Sequence, residues 1–204
     1  MVSQRHNAQL ALKKISGYVL KPGEVFSFNK VVGSRVRDKG YVRAPVSYSG
    51  QLVVTWGGGV CQTSTTLYNV ALLAGMEILE RHPHHHAPHY VPPGRDAAVA
   101  FEGVDLKFRN PYDFPVVIQG EVEEKHLCIR LLGKTDSFQP AEVLQEVRQV
   151  HKPHEFVLYG HRGRPRIRNK GSQGYEVIVW RITKNQKHLV SSDYYPPMHR
   201  IVEY

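Results

Sequence analysis

Gly57-Gly58-Gly59-Val60-Cys61-Gln62-Thr63-Ser64-Thr65-Thr66-Leu67-Tyr68-Asn69 runs three glycines into one cysteine and then into a helical pattern. Leu67, Val70, Ala71, Ala74 and Ile78 fall at i, i+3, i+4, i+7 and i+11, a single apolar stripe that anchors a helix to a core. Cys61 is therefore expected at a helix start. There, unpaired backbone N–H groups and the positive end of the helix dipole lower a thiol pKa from about 8.5. The glycines are expected to leave the approach to the sulfur free of side chains. The hydroxyls of Thr63, Ser64, Thr65 and Thr66 are expected to cap backbone donors, and Gly75 reads as a mild interruption near the far end. A buried structural cysteine is the alternative reading of Cys61.

Upstream, Ala44 to Tyr48 and Gln51 to Trp56 read as a hairpin across Ser49-Gly50, feeding directly into the glycine run. Residues 5 to 16 favour a helix that stops at Gly17. Tyr18-Val19-Leu20 and Val25-Phe26-Ser27-Phe28 read as strands around the turn Lys21-Pro22-Gly23-Glu24. Downstream, the stretch from Arg81 to Asp96 is too proline-rich for a regular element and holds His82, His84, His85, His86 and His89. Ala97 to Phe101, Leu106 to Arg109, Phe114 to Glu121 and His126 to Leu132 read as strands, the last two forming a hairpin across Glu123-Glu124-Lys125. A polar stretch from Gly133 to Pro140 marks a boundary. Beyond it, Val143 to Val150, Glu155 to Tyr159, Tyr175 to Thr183 and Lys187 to Ser191 read as a β-rich appendage with a turn at Lys184-Asn185-Gln186. The pattern describes an α+β protein, a mostly antiparallel sheet packed on one central helix that starts at Cys61.

The 204 residues, 41% of them hydrophobic, suffice for one large domain or two small ones. No apolar run approaches the length of a membrane span, roughly 18 residues. Residues 1 to 20 lack the basic-then-apolar order of a signal peptide, so an export signal is either missing from this chain or was never present. The net charge of +9 suits an anionic partner: nucleic acid, lipid or the acidic polymers of a bacterial wall. The dense basic patch from His161 to Lys170 has no nucleic-acid recognition motif beside it, so no specific nucleic acid is expected. Of the two cysteines, Cys128 sits in a strand-like run where a small apolar side chain is ordinary, which leaves Cys61 as the thiol with chemistry.

Lys21 to Asn29, Gly57 to Asn69 and Pro92-Pro93-Gly94-Arg95-Asp96-Ala97 closely resemble the VanW domain family of bacterial envelope proteins. The tail through Tyr194-Tyr195-Pro196-Pro197 resembles the G5-like β extension that often follows such domains. The resemblance implies a VanW-like domain over residues 1–133 and a G5-like extension over 134–204. It also implies an extracytoplasmic location and, as in some members, L,D-transpeptidase activity on peptidoglycan stem peptides. Cys61 would form the thioester. His84 falls on the histidine of the family's Arg-x-x-His-Ser pattern and would be the base in preference to His82, His85, His86 and His89, although His85 stands where the family has Ser. Asp96 would orient it, with a plain ion pair to Arg81 or Arg95 as the alternative.

The backbone N–H groups of Cys61 and Gln62, next to Gly59, would stabilise the oxyanion, with Tyr68, Ser27 or Asn29 adding a side-chain donor. Arg95 would pair with a stem-peptide carboxylate. No cofactor is implied. A zinc site built from the histidines and the thiolate is a rival reading, weakened because His84, His85 and His86 are consecutive and do not converge easily on one ion. A binding module without catalysis and a papain-like peptidase or amidase are the other two.

Overall fold

In the computed structural model, residues 2–48, 51–101, 103–124, 126–134, 140–160, 164–183 and 186–204 are described. Helix α1 (Val2–Ile15) buries Ala8, Ala11, Leu12 and Ile15 and ends before Gly17, whose φ of +84° turns the chain back. β1 (Val19–Leu20) and β2 (Val25–Ser27) follow. Phe28, read from alternation as the end of a strand, instead opens the short helix α2 (Phe28–Val32). The switch occurs at Ser27, whose hydroxyl accepts from the Lys30 N–H as an N-cap while donating to Asp105. β3 (Arg43–Tyr48) and β4 (Gln51–Trp56) form the expected antiparallel hairpin, with its turn at Ser49-Gly50 outside the described residues.

Helix α3 (Cys61–Leu73) starts at Cys61 and is shorter than its apolar stripe suggests. Gly75, at φ +73°, ends it outright rather than interrupting it, and Ile78 lies instead in β5 (Glu77–Glu80). Leu67, Tyr68, Ala71 and Leu72 face a core shared with α1 and the strands. β6 (Lys107–Arg109) lies between β2 and β5, and Phe26 stacks on Phe108 across that sheet at 4.9 Å. β7 (Val116–Glu123) lies between β1 and β8 (His126–Leu132). Residues 97 to 101 do not form the expected strand. They make isolated bridges, His82 with Ala98 and Ala100 with Val104, because the backbone of Ala97 and the carbonyl of Val99 are taken by α3 and Arg35 instead.

Among the described residues, the elements after β8 are all strands. β9 (Glu142–His151), β12 (Gly174–Thr183) and β13 (Gln186–Tyr195) form an antiparallel sheet with β12 in the centre. β14 (Arg200–Glu203) pairs in parallel with β10 (Glu155–Leu158) and antiparallel with β11 (Arg166–Asn169). Residues 161 to 163 of the basic patch and Lys184-Asn185 of the last turn lie outside the described residues. Arg166 and Arg168 of that patch both pair with Glu203. The first sheet of this segment docks on the end of α3: the Ala141 N–H donates to the Leu73 carbonyl, and Arg181 donates to the Met76 carbonyl at 2.6 Å. No helix among the described residues is long and apolar enough to cross a membrane.

Candidate active site

The glycines before Cys61 serve close packing rather than an open approach. A Cβ on Gly57 would stand 2.7 Å from Arg35 Cβ, one on Gly58 2.6 Å from the Ala44 carbonyl, and one on Gly59 2.4 Å from the Gln4 carbonyl. Three separate segments thus press on the turn that delivers the cysteine, and only glycine admits them.

The hydroxyls of the first turn of α3 also do something other than capping. Ser64 donates to the Ala97 carbonyl at 2.7 Å, Thr65 accepts from the Ala97 N–H at 3.0 Å, and Thr63 donates to the Ala8 carbonyl at 2.8 Å. One turn on, Asn69 donates to the Arg95 carbonyl and accepts from Arg95 Nε, at 2.7 and 2.6 Å. The polar face of α3 therefore ties down residues 95–97, and with them Asp96, while the same helix begins with Cys61. The Nε of Arg95 is engaged in this tie.

Cys61, His84 and Asp96 come together. His84 Nδ1 is 2.6 Å from Asp96 Oδ2, and the same oxygen accepts the His84 backbone N–H at 2.7 Å. With Nδ1 committed to the carboxylate, Nε2 is the ring nitrogen left for the sulfur, and His84 and Cys61 shift each other's protonation. Asp96 is fully buried. It forms the ion pair with Arg81 through one oxygen and the contact with His84 through the other.

Electrostatics favour an ion pair between sulfur and imidazole. Burial opposes the thiolate of Cys61. It is outweighed by the hydrogen bond and charge of His84, backbone hydrogen bonding at Val99 and the charge of Arg35, so the pKa falls below its ordinary value. Burial likewise opposes the imidazolium, yet Asp96 and Cys61 raise His84 to about 9. Burial would raise Asp96, but His84, Arg81 and Tyr195 hold it below the usual carboxylate range.

The remaining candidates have partners of their own. Ser27 is committed to Asp105 and the α2 cap. Asn29 holds the Ala100 and Val104 carbonyls and accepts from Arg35. Tyr68 is fully buried beneath the Arg81 guanidinium, 5.5 Å from ring centre to cation, and burial pushes its hydroxyl up to about 12. The Gln62 N–H donates to the Gly59 carbonyl at 3.1 Å, so that donor is already engaged. Among the other histidines, His82 bonds Glu80 and His86 bonds the Pro196 carbonyl. Among the described residues, no group of three or more His, Cys, Asp or Glu is placed to hold a metal ion.

Two residues near the sulfur carry no sequence signal. Arg35 Nη1 donates at 3.0 Å to the Val99 carbonyl, the same oxygen that Cys61 Sγ faces at 3.6 Å. It sits in an ordinary charged run, Arg35-Val36-Arg37-Asp38, that resembles any solvated loop. Tyr90 presents its ring edge-on to His84, with centroids 6.4 Å apart.

Arg35→Gln removes the cation and is expected to raise the Cys61 thiolate midpoint by about half a pH unit to one unit. Arg35→Lys should restore part of that shift. The pH dependence of Cys61 alkylation, read by peptide mass, checks this, and coincident curves for parent and Arg35→Gln would refute it.

In this α+β chain the helix that starts at Cys61 and the loop that carries His84 and the buried Asp96 meet at one place. The chain belongs to the family described as VanW like protein, which matches residues 3–132. It is 46% identical over 119 residues to Uncharacterized protein YoaR of Bacillus subtilis (strain 168), covering 58% of this chain and 39% of that protein. It is 35% identical over 112 residues to Vancomycin B-type resistance protein VanW of Enterococcus faecalis (strain ATCC 700802 / V583), covering 52% and 41%. The chain thus matches about two fifths of the length of these relatives. The structure titled IgA1 Protease G5 domain structure matches 31% of this chain and 88% of its own, at 23% identity and a TM-score of 0.21.

Proposed function

We propose that this chain acts in the bacterial cell envelope as a cysteine-dependent L,D-transpeptidase on peptidoglycan stem peptides. The observation that carries this reading is one imidazole, His84, shared between Cys61 and the buried Asp96. The relative named for vancomycin resistance and the net charge of +9, suited to anionic wall polymers, agree with an envelope location.

In the proposed reaction the Cys61 thiolate attacks the carbonyl carbon joining the third stem residue to a terminal D-Ala, and charge moves to the carbonyl oxygen. The His84 imidazolium passes its Nε2 proton to the D-Ala nitrogen as the C–N bond breaks, leaving a thioester and free D-Ala. Neutral His84 then takes a proton from the amine of a second stem peptide as that nitrogen attacks the thioester. Sulfur departs as thiolate, and a 3-3 cross-link forms. Asp96 stays ionised throughout and keeps Nδ1–H pointed away from the sulfur. The Cys61 N–H is the donor offered to the oxyanion.

Intact-mass spectrometry of the protein and of Cys61→Ala, after incubation with disaccharide-tetrapeptide, tests this. The expected result is a Cys61-dependent acyl adduct, D-Ala release and a dimeric muropeptide. Tripeptide without dimer would make water the acceptor and the protein a carboxypeptidase. Folded parent protein with neither adduct nor product would sink the enzymatic reading in favour of a binding module.

A further inference from the structure

We propose that the C-terminal β segment is a working part of the catalytic site, with Tyr195 and Asp193 of β13 acting as positioning residues for Asp96. This rests on the acyl-transfer reading of Cys61, His84 and Asp96. The family match ends at residue 132, so neither residue belongs to the matched region.

Asp96 divides its two oxygens between two sets of donors. Oδ2 serves His84 alone, through the ring and the backbone N–H. Oδ1 accepts from the Tyr195 hydroxyl at 2.5 Å and from Arg81 Nη2 at 3.0 Å. Tyr195 is fully buried, and its oxygen also accepts the Gly94 N–H at 2.9 Å, so one hydroxyl fixes both the carboxylate and the backbone turn that carries it. Arg81 donates Nε to the Asp96 backbone carbonyl at 2.7 Å, and its Nη1 reaches both Asp193 oxygens at 2.6 Å. Ser191 donates in turn to Asp193.

The strand behind these side chains is itself fixed. β13 pairs along its length with β12, Tyr195 opposite Tyr175 and Asp193 opposite Val177. Val177 and Val179 of β12 pack so closely on Gly94 that a Cβ there would stand 2.6 Å from Val179. A carboxylate held at one oxygen only would be free to turn about its Cβ–Cγ bond and would lose the 2.6 Å contact with His84. The β segment removes that freedom.

The groups facing the His84–Asp96 pair are Cys61 and Tyr68 from α3, Arg81 and Tyr90 from the chain after α3, and Asp193 and Tyr195 from β13. Of these, only the last two come from outside the family match. If they orient Asp96, weakening them lowers the support for the imidazolium and narrows the pH range of the thiolate–imidazolium pair.

The test uses full-length Tyr195→Phe, which keeps the ring, and Asp193→Asn, which keeps the shape and serves if the first does not fold. Iodoacetamide alkylation of Cys61 is followed against pH, and stem-peptide turnover is followed separately. In the folded variants the Cys61 alkylation midpoint is expected to move up, and the alkaline limb of turnover to move down, each by about one pH unit. Turnover is expected to fall about tenfold in kcat with KM unchanged. Folded variants with the parent's alkylation profile and kcat would overturn the proposal. If the parent shows no turnover, the assignment of the reaction fails, while the alkylation profiles still decide whether β13 positions Asp96.

Discussion

In His84→Ala, Cys61 is expected to lose its alkylation at neutral pH, and any acyl transfer should fall roughly 10²- to 10⁴-fold, the range for a positioned acid–base group. The sign follows from the opposing influences on the sulfur. Burial raises the Cys61 pKa, and the hydrogen bond and charge of His84 are the leading influences that lower it. Once the imidazole is gone, burial is the largest remaining influence, so the thiolate should appear only above the ordinary thiol range instead of below it. In the parent, the thiolate–imidazolium pair exists from the depressed Cys61 pKa up to about 9, where His84 releases its proton. The parent's acyl-transfer rate should therefore be bell-shaped with an alkaline limb near 9, and the variant's should have no plateau below it. His85→Ala and His86→Ala are expected to leave the profile alone, since the two rings pack edge-on at 4.6 Å and His86 bonds the Pro196 carbonyl. Peptide-resolved alkylation against pH measures all three variants. A parent-like curve for His84→Ala, or a collapsed one for His85→Ala, would move the base elsewhere.

What could be read from the sequence was local. The start of α3 at Cys61 was legible because glycine ends one pattern and helical spacing begins another. Its end was not, because Ile78 falls on the helical stripe by coincidence while belonging to β5. Phe28 alternates like a strand residue, yet the Ser27 cap takes it into α2. Residues 97 to 101 have strand composition but give their hydrogen bonds to α3 and Arg35. The same divide runs through the site. Cys61, His84 and Asp96 each lie in a stretch with its own signature. Arg35, Tyr90, Asp193 and Tyr195 do not, because what brings them to the sulfur and to Asp96 is tertiary packing. Tyr195 reaches Asp96 across a sequence separation of 99 residues. The glycines illustrate a further gap: three in a row signal backbone demands, but not that the demands come from Arg35, Ala44 and Gln4.

Gly59→Ala is expected to destabilise the folded chain by about 3 kcal/mol or more, combining a strained backbone with overpacking. Gly59 has φ +104°, outside what an alanine adopts without strain, and the added Cβ would lie 2.4 Å from the Gln4 carbonyl oxygen and 2.8 Å from its Cα. These are backbone atoms of α1, so no rotamer change relieves the clash. The helix itself must shift, against the buried Ala8, Ala11, Leu12 and Ile15 and the bond from Gln4 to the Pro45 carbonyl. For a chain of this size the loss corresponds to a Tm lower by roughly 6–12 °C. Gly23→Ala is the control, since Gly23 has φ +71° but nothing within 4 Å of an added Cβ. It should show only the conformational part, on the order of 1 kcal/mol. Paired denaturation curves separate the two contributions. Equal losses at the two sites would mean that α1 yields to the clash freely, and the glycine before Val60 would then be explained by its backbone angle alone. A much larger loss at Gly59 would make the packing of α1 on this turn a condition for placing Cys61, because the strained turn and the first residue of α3 are separated only by Val60.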